Sequence, residues 1–283
     1  MTGPALKPIV ICADDYAQDA GISAGIRALA ARRRLSATSA MVLSPRWHED
    51  AAPLRELRDH VDVGLHLDWT SPFAQAAGHG LPLGAAMRRA LLGGFDVKAA
   101  RAVVDSQLDA FESAWGAPPD HVDGHQHVQQ FAGIRDALVD ALQRRYGAAA
   151  RRPWLRLSRA PRGQRDLKAR VIAALGANAL EKIAVRADLP CAPALTGIYG
   201  FDGDEAVYAR RLAGWLAAAP AGTVLMCHPG LPASAAGDAG DDPIAAARQR
   251  EARCLAGDDL VRALASAGAR VARGSTLYSA APA

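Results

Sequence analysis

Two adjacent carboxylates, Asp14 and Asp15, close an apolar run that starts at Pro8 and passes through Ile9, Val10, Ile11, Cys12 and Ala13. Such a run reads as a buried parallel strand. Adjacent acids at its end repel each other in a low dielectric, and a cation between them removes that cost. A surface Asp-Asp turn would carry the same residues, so the pair gains weight from what recurs downstream. Val61 to Asp68 alternates, with Leu65 and Leu67 on one face and His66 and Asp68 on the other. This is how a metal ligand, or a group steadying one, would look. In His121 to Val128, alternation puts Asp123, His125 and His127 on one face, and Gly124 leaves room for a close backbone approach. Three such groups side by side cost about 1–3 kcal/mol each if buried without partners. A metal and the groups around it satisfy all three together. Thr223 to His228 is again an apolar run ending in a titratable group.

Helical segments must connect these runs. Ala20 to Arg33 has Ile22, Ile26 and Leu29 at helical spacing, and its terminal arginines complement the helix dipole. Ala37 to Leu43 reads as a strand and Trp47 to Arg58 as a helix. Trp69 to Phe95 holds two Pro and five Gly. It reads as a long loop over the site mouth, with a short helix at Ala85 to Leu92. Val97 to Trp115 is a helix stopped by Gly116 and Pro118-Pro119. Ile134 to Tyr146, Val171 to Ala187, Glu205 to Ala218, Ile244 to Leu255 and Leu260 to Ala267 are further helices. Trp154 to Ser158, Leu195 to Tyr199 and Ala269 to Ala272 are short strands. Arg151 to Arg170 contains seven Arg, one Lys and a single acid, Asp166. A solvated basic face explains it, and an anionic part of a substrate is the alternative. Cys227 precedes His228, but adjacent strand residues face opposite ways, so Cys227 reads as core. Ala233 to Asp242 reads as a flexible loop.

The chain has 283 residues, of which 50% are apolar, 22% charged and 5% aromatic. This is an ordinary globular composition with an aliphatic core. A net charge of +4 and a pI near 9.0 do not demand nucleic acid. Cys12, Cys191, Cys227 and Cys254 form no Cys-x-x-Cys pair, so zinc-knuckle and redox motifs are excluded and a reducing compartment is expected. The longest stretch without Asp, Glu, Lys or Arg, Leu212 to Gly237, is broken by Pro220, Pro229 and Pro232. A membrane span is therefore rejected, and the expectation is a cytoplasmic protein. A homodimer stays open. No repeat or linker divides residues 1–283, which read as a single domain. Strands and helices alternate, with Asp14/Asp15, His66, His125 and His228 at strand ends. That pattern fits a TIM-like (β/α) barrel of about seven strands, deformed or incomplete.

Ala13-Asp14-Asp15-Tyr16, Gly64-Leu65-His66-Leu67, His121 to Val128 and Met226-Cys227-His228-Pro229-Gly230 together resemble the four signatures of the YdjC-like carbohydrate deacetylases. That family includes chitooligosaccharide deacetylases and the deacetylase associated with hopanoid biosynthesis. The resemblance implies a (β/α) barrel that removes acetyl groups from N-acetylated sugars, glycans or glycolipids with one divalent metal. It implies Asp15, His66 and His125 as metal ligands, Asp14 as base and His228 as the opposing acid. Mg²⁺ is the metal the resemblance suggests, while the mixed O/N donors also suit Zn²⁺. Tyr16-Ala17, Gly124 and Gln129 depart from the family's usual Phe-Gly, Ser and His, and none is an implied ligand. Asp68, Asp123 and His127 are candidates to orient the imidazoles, and Trp69 to stack on a sugar ring. Two rivals remain: a metal-dependent phosphoesterase, which usually wants two metals, and a non-catalytic sugar-binding barrel.

Overall fold

A computed structural model describes residues 5–164, 166–232 and 242–278. Of the expected flexible loop Ala233 to Asp242, residues 233–241 lie outside them. Short apolar runs alternating with amphipathic segments give parallel strands joined by helices. The strands are β1 (Lys7–Tyr16), β2 (Ala37–Ala40), β3 (Asp62–Leu67), β4 (His121–Gly124), β5 (Trp154–Arg156), β6 (Cys191–Ala192), β7 (Leu195–Thr196), β8 (Val224–Cys227) and β9 (Ala269–Val271). They form one sheet in the order β6-β5-β4-β3-β2-β1-β8-β7, and β9 pairs with the N-terminal end of β1. Every pairing is parallel. β6 and β7 lie at opposite ends of this order, yet only Pro193 and Ala194 separate them in the chain. The sheet therefore curls into a nearly closed barrel of eight strands, with β9 a ninth strand beside β1, where about seven were expected.

Alternation along the strands sorts their buried apolar residues into two clusters. Val10, Cys12, Trp154, Leu195, Val224 and Met226 pack inside the barrel. Ile9, Ile11, Ala13, Val63, Leu65 and Leu67 pack outward against the helices. The inward column of β3 is thus Asp62, Gly64 and His66, and that of β1 leads to Asp14. The inside is filled low down and polar at the C-terminal ends, where a parallel barrel gathers its chemistry.

Other departures have local causes. Within residues 69–95 the expected short helix forms, at Leu83–Leu91, and a further helix, Pro72–Ala76, precedes it. Ser71 caps the helix Pro72–Ala76 by accepting from the Phe73 and Ala74 amides, and Pro72 opens it. Gly176 splits the expected helix 171–187 into Leu167–Ala174 and Ala177–Arg186. β2 stops at Ala40, short of Leu43. β4 stops at Gly124, and His125–Gln130 forms a 3-10 turn in place of the expected strand. Gln126 and His127 have φ of 53° and 65°, so the strand alternation of Asp123, His125 and His127 does not hold.

Gly64 is required by packing. A Cβ there would lie 2.4 Å from the His121 ring. That ring cannot retreat, because it stacks on Trp154 with centroids 4.3 Å apart. Gly64→Ala should destabilise the fold by about 1–3 kcal/mol or more, as overpacking does. The expected readout is a lower urea midpoint at unchanged m-value. An unchanged midpoint would show that the His121–Trp154 stack can yield.

Candidate active site

β1 presents two adjacent acids to one space because its backbone changes hand. Asp14 continues the inward column of Val10 and Cys12. Asp15 in a regular strand would face outward, but its φ is 68° and it turns back toward the mouth. Both acids are 2% exposed. Each has its own guanidinium. Arg156 of β5 grips Asp14 bidentately, Nη1 to Oδ1 at 2.6 Å and Nη2 to Oδ2 at 2.7 Å. Arg156 Nη1 also lies 2.9 Å from Asp123 Oδ2. Arg248, from the helix Ala245–Ala256, reaches Asp15 Oδ2 at 2.8 Å and Asp242 at 2.8 Å. The expected relief of the Asp-Asp repulsion thus comes at least in part from arginines.

Asp15 Oδ1 faces two imidazoles. His66 Nε2 is 3.3 Å away and His125 Nδ1 3.1 Å away. One donor atom from each of Asp15, His66 and His125 falls within 4.8 Å of the others, a grouping that could hold a metal ion. The other nitrogen of His66, Nδ1, bonds Asp123 Oδ1 at 2.6 Å, which fixes the ring. Burial alone would pull His66 down; the carboxylates of Asp123 and Asp14 outweigh it and push the imidazole up to about 10. The field here favours a positive charge. Burial would raise Asp15, but Arg248 and the two imidazoles hold it well below the usual carboxylate range. This donor set fits a divalent cation.

His228 follows β8, the neighbour of β1, so it ends beside Asp14 and not across the mouth from it. Its Nε2 is 3.9 Å from Asp14 Oδ2. The Asp14–Asp15 pair lies between His228 on one side and His66 with His125 on the other. The His228 amide donates to Glu251 at 2.6 Å, and its ring meets Phe201 edge-on. Cys227 is buried in the core, its thiol pushed up by burial.

Three expected contributors make other contacts. His127 lines the same cavity, and its Nδ1 pairs with Ser158 Oγ at 2.9 Å. Burial and then Arg156 hold it well below the ordinary histidine value. Asp68 accepts from the Thr70 and Ser71 amides and builds the turn after β3, without touching His66. Trp69 is buried against His79 and Phe95, away from the main cavity.

Sequence reasoning missed Arg156, Arg248 and Glu251. Arg156 carried a signal: it alternates with Leu155 and Leu157, so a strand puts it on the face of Trp154. Arg248 and Glu251 sit in a polar helix that looks solvated. The basic stretch is accordingly mixed. Arg151, Arg152 and Arg159 pair with Asp120, Asp188 and Glu181 near the surface, while Arg156 is fully buried. A cavity of about 980 Å³ opens onto Asp14, Asp15, His66, His125 and His228. Thr70, Ser71, Phe73, Leu83 and Met87, from the segment expected to form a loop over the mouth, contribute to its wall.

Residues 8–266 match the family described as YdjC-like protein. The chain belongs to the YdjC-like family. It is 27% identical over 239 residues to a chitooligosaccharide deacetylase of Serratia marcescens, covering 79% of this chain and 81% of that protein. A chitooligosaccharide deacetylase of Proteus mirabilis (strain HI4320) is 28% identical over 148 residues, 48% of this chain and 56% of that one. Among solved structures, a protein of Enterococcus faecalis V583 described in terms of cellobiose-phosphate cleavage superposes with TM-score 0.70 at 19% identity, over 97% of this chain and 100% of that one. A peptidoglycan N-acetylglucosamine deacetylase superposes with TM-score 0.53 at 9% identity, over 98% and 90%. At these identities the structural likenesses establish the YdjC-like chain's barrel fold.

Removing Arg156 leaves Asp14 and Asp123 buried without their cation. Arg156→Leu should cost about 3–5 kcal/mol at neutral pH, the typical cost of breaking a buried pair. Burial would raise Asp123, but Arg156 holds it below the usual range. A depressed carboxylate stabilises the fold above its unfolded pKa, and that contribution is lost as pH falls. The penalty of Arg156→Leu should therefore narrow toward acid pH, where the stranded Asp123 takes up a proton. Urea midpoints at neutral and mildly acidic pH test this, and a penalty that widens on acidification would contradict it.

Proposed function

We propose that the chain is a metal-dependent carbohydrate N-deacetylase that removes the acetyl group of an N-acetylated sugar. The observation that supports it most is the convergence of Asp15 with His66 and His125, with Asp14 alongside and His228 on the far side of Asp14. Family membership and the chitooligosaccharide deacetylases among its relatives support the same reading.

In this proposal Asp15, His66 and His125 hold one divalent ion, Mg²⁺ by family resemblance and Zn²⁺ by donor chemistry. Bound there, the ion polarises the amide carbonyl and acidifies a water. The chain's own residues do the rest. Asp123 keeps His66 turned toward Asp15. Arg156 and Arg248 hold the two carboxylates at fixed angles. Asp14 takes the proton of the attacking water, and His228 gives one to the departing amine. The amide of His228, tied to Glu251, fixes where that proton donor stands. A two-metal phosphoesterase is disfavoured on a specific ground. Asp14 and Asp123, which a second ion would use, already share the cation of Arg156.

The direct test is acetate release from N-acetylated chito-oligosaccharides, with and without a chelator. Release abolished by the chelator and restored by one equivalent of metal per chain is expected. Phosphate release from sugar phosphates with two metals bound would replace the reading, and sugar binding without turnover would reduce the chain to a binding protein. His66→Ala and His125→Ala should each lose the ion by elemental analysis, and full occupancy in either would remove that residue from the ligand set.

His228→Ala should keep the ion and most substrate affinity. Its kcat should fall about 10²–10⁴-fold, the usual weight of general acid catalysis. An aryl ester, whose leaving group needs no proton, should suffer less. Equal losses on amide and ester would take the acid role away from His228.

A further inference from the structure

Part of the cavity wall is apolar, and the apolar surface does not stop at its rim. Leu83 and Met87 of the helix Leu83–Leu91 line it. The next residue on that face, Leu91, is 67% exposed, and Leu92 beyond it 80%. Leu175, Ile172 and Val171 line the cavity from the helix Leu167–Ala174 and the residue that caps it. One turn further out, Leu167 is 76% exposed. Two helical stripes thus begin inside the cavity and end in water. Exposed apolar surface of this kind marks an interaction site.

The charges beside the stripes indicate the partner. Arg88 and Arg89 follow Met87, and residues 81–92 contain no acid. Arg162 and Arg170 flank Leu167, where the sole acid is Asp166, whose carboxylate caps the helix by accepting from Ala169. Arg88, Arg162 and Arg170 are exposed, with no ion pair among the described residues. Leucines interleaved with unpaired arginines suit a surface that is apolar beneath and anionic on top.

We propose that the rim of this cavity docks on an anionic lipid bilayer through Leu91, Leu92 and Leu167, with Arg88, Arg162 and Arg170 against the headgroups. The docking stands on the surface alone, independently of the deacetylase reading.

Co-sedimentation with phosphatidylcholine vesicles, with and without phosphatidylglycerol, tests the docking. The wild-type protein should sediment with the anionic vesicles, less at high salt and less with phosphatidylcholine alone. The double variant Leu91→Ser/Leu167→Ser should partition roughly tenfold or more weakly, from the apolar area it no longer buries. It should keep wild-type acetate release from a soluble chito-oligosaccharide, since neither residue lines the cavity. Arg88→Glu/Arg170→Glu should abolish the preference for anionic lipid. A wild-type protein that stays in the supernatant, or a serine variant that sediments equally, would overturn the docking. So would a dimer in solution that the serine variant breaks, because a second copy would then cover the stripes. Absence of acetate release from any substrate, with vesicle binding intact, would remove the deacetylase reading while leaving the docking in place.

Discussion

A fully buried guanidinium sits where the barrel changes from packed core to chemical mouth. Arg156 takes both oxygens of Asp14 and stands against Asp123. Leaving those acids in this interior without a cation would cost several kcal/mol each. With Arg156 in place, Asp123 can spend its other oxygen on His66 Nδ1. That bond leaves His66 Nε2 facing Asp15, and Arg248 holds Asp15 from the other side. The site is thus a line of alternating charge from β5 across the barrel to the helix Ala245–Ala256. Each member is positioned by the next.

The positions of the chemistry were legible in the chain because apolar runs ending in Asp or His are hard to place anywhere but strand ends. Asp14, Asp15, His66, Asp123, His125 and His228 all stand at the C-terminal ends of strands or just beyond them. What the chain does not display is where a strand stops. From spacing alone, His121 to Val128 alternates as well as any strand, yet the ladder ends at Gly124. A Cβ on Gly124 would stand 2.8 Å from the amide nitrogen and side-chain oxygen of Gln129. The chain folds back over that glycine, and the 3-10 turn sends His127 to Ser158.

Charge composition was the least informative signal. Within residues 151–170, some arginines meet acids in partly solvated pairs and one is entombed. The two fates look alike in a count of basic residues. They differ in neighbours: Arg156 has Leu155 and Leu157 beside it, and Arg151 and Arg152 have each other and Pro153. Flanking apolarity at strand period, more than charge density, distinguishes a buried cation from a surface one. Arg248 had no comparable mark. Its burial comes from the helix Ala245–Ala256 lying across the mouth, a tertiary fact that no local pattern encodes.

Left-handed backbone at non-glycine residues concentrates at this mouth. Asp15, Ala17, Gln126 and His127 all have φ between 53° and 70°. Each such residue costs on the order of 1–3 kcal/mol and persists only where its surroundings over-determine it. Asp15 is over-determined by Arg248, His66 and His125 together. His127 is held by Ser158, and Ser158 in turn by Gln129, whose amide also reaches the Arg156 carbonyl. Regular strands would place Asp14 and Asp15 on opposite faces and carry His125 along the barrel wall. Breaking the β1 and β4 backbones at these points brings an acid and an imidazole 3.1 Å apart from strands that are not neighbours in the sheet. The two strained turns and the ion pairs that hold them are therefore one construction: the barrel supplies the height at which the groups meet, and the bends supply the direction in which they face.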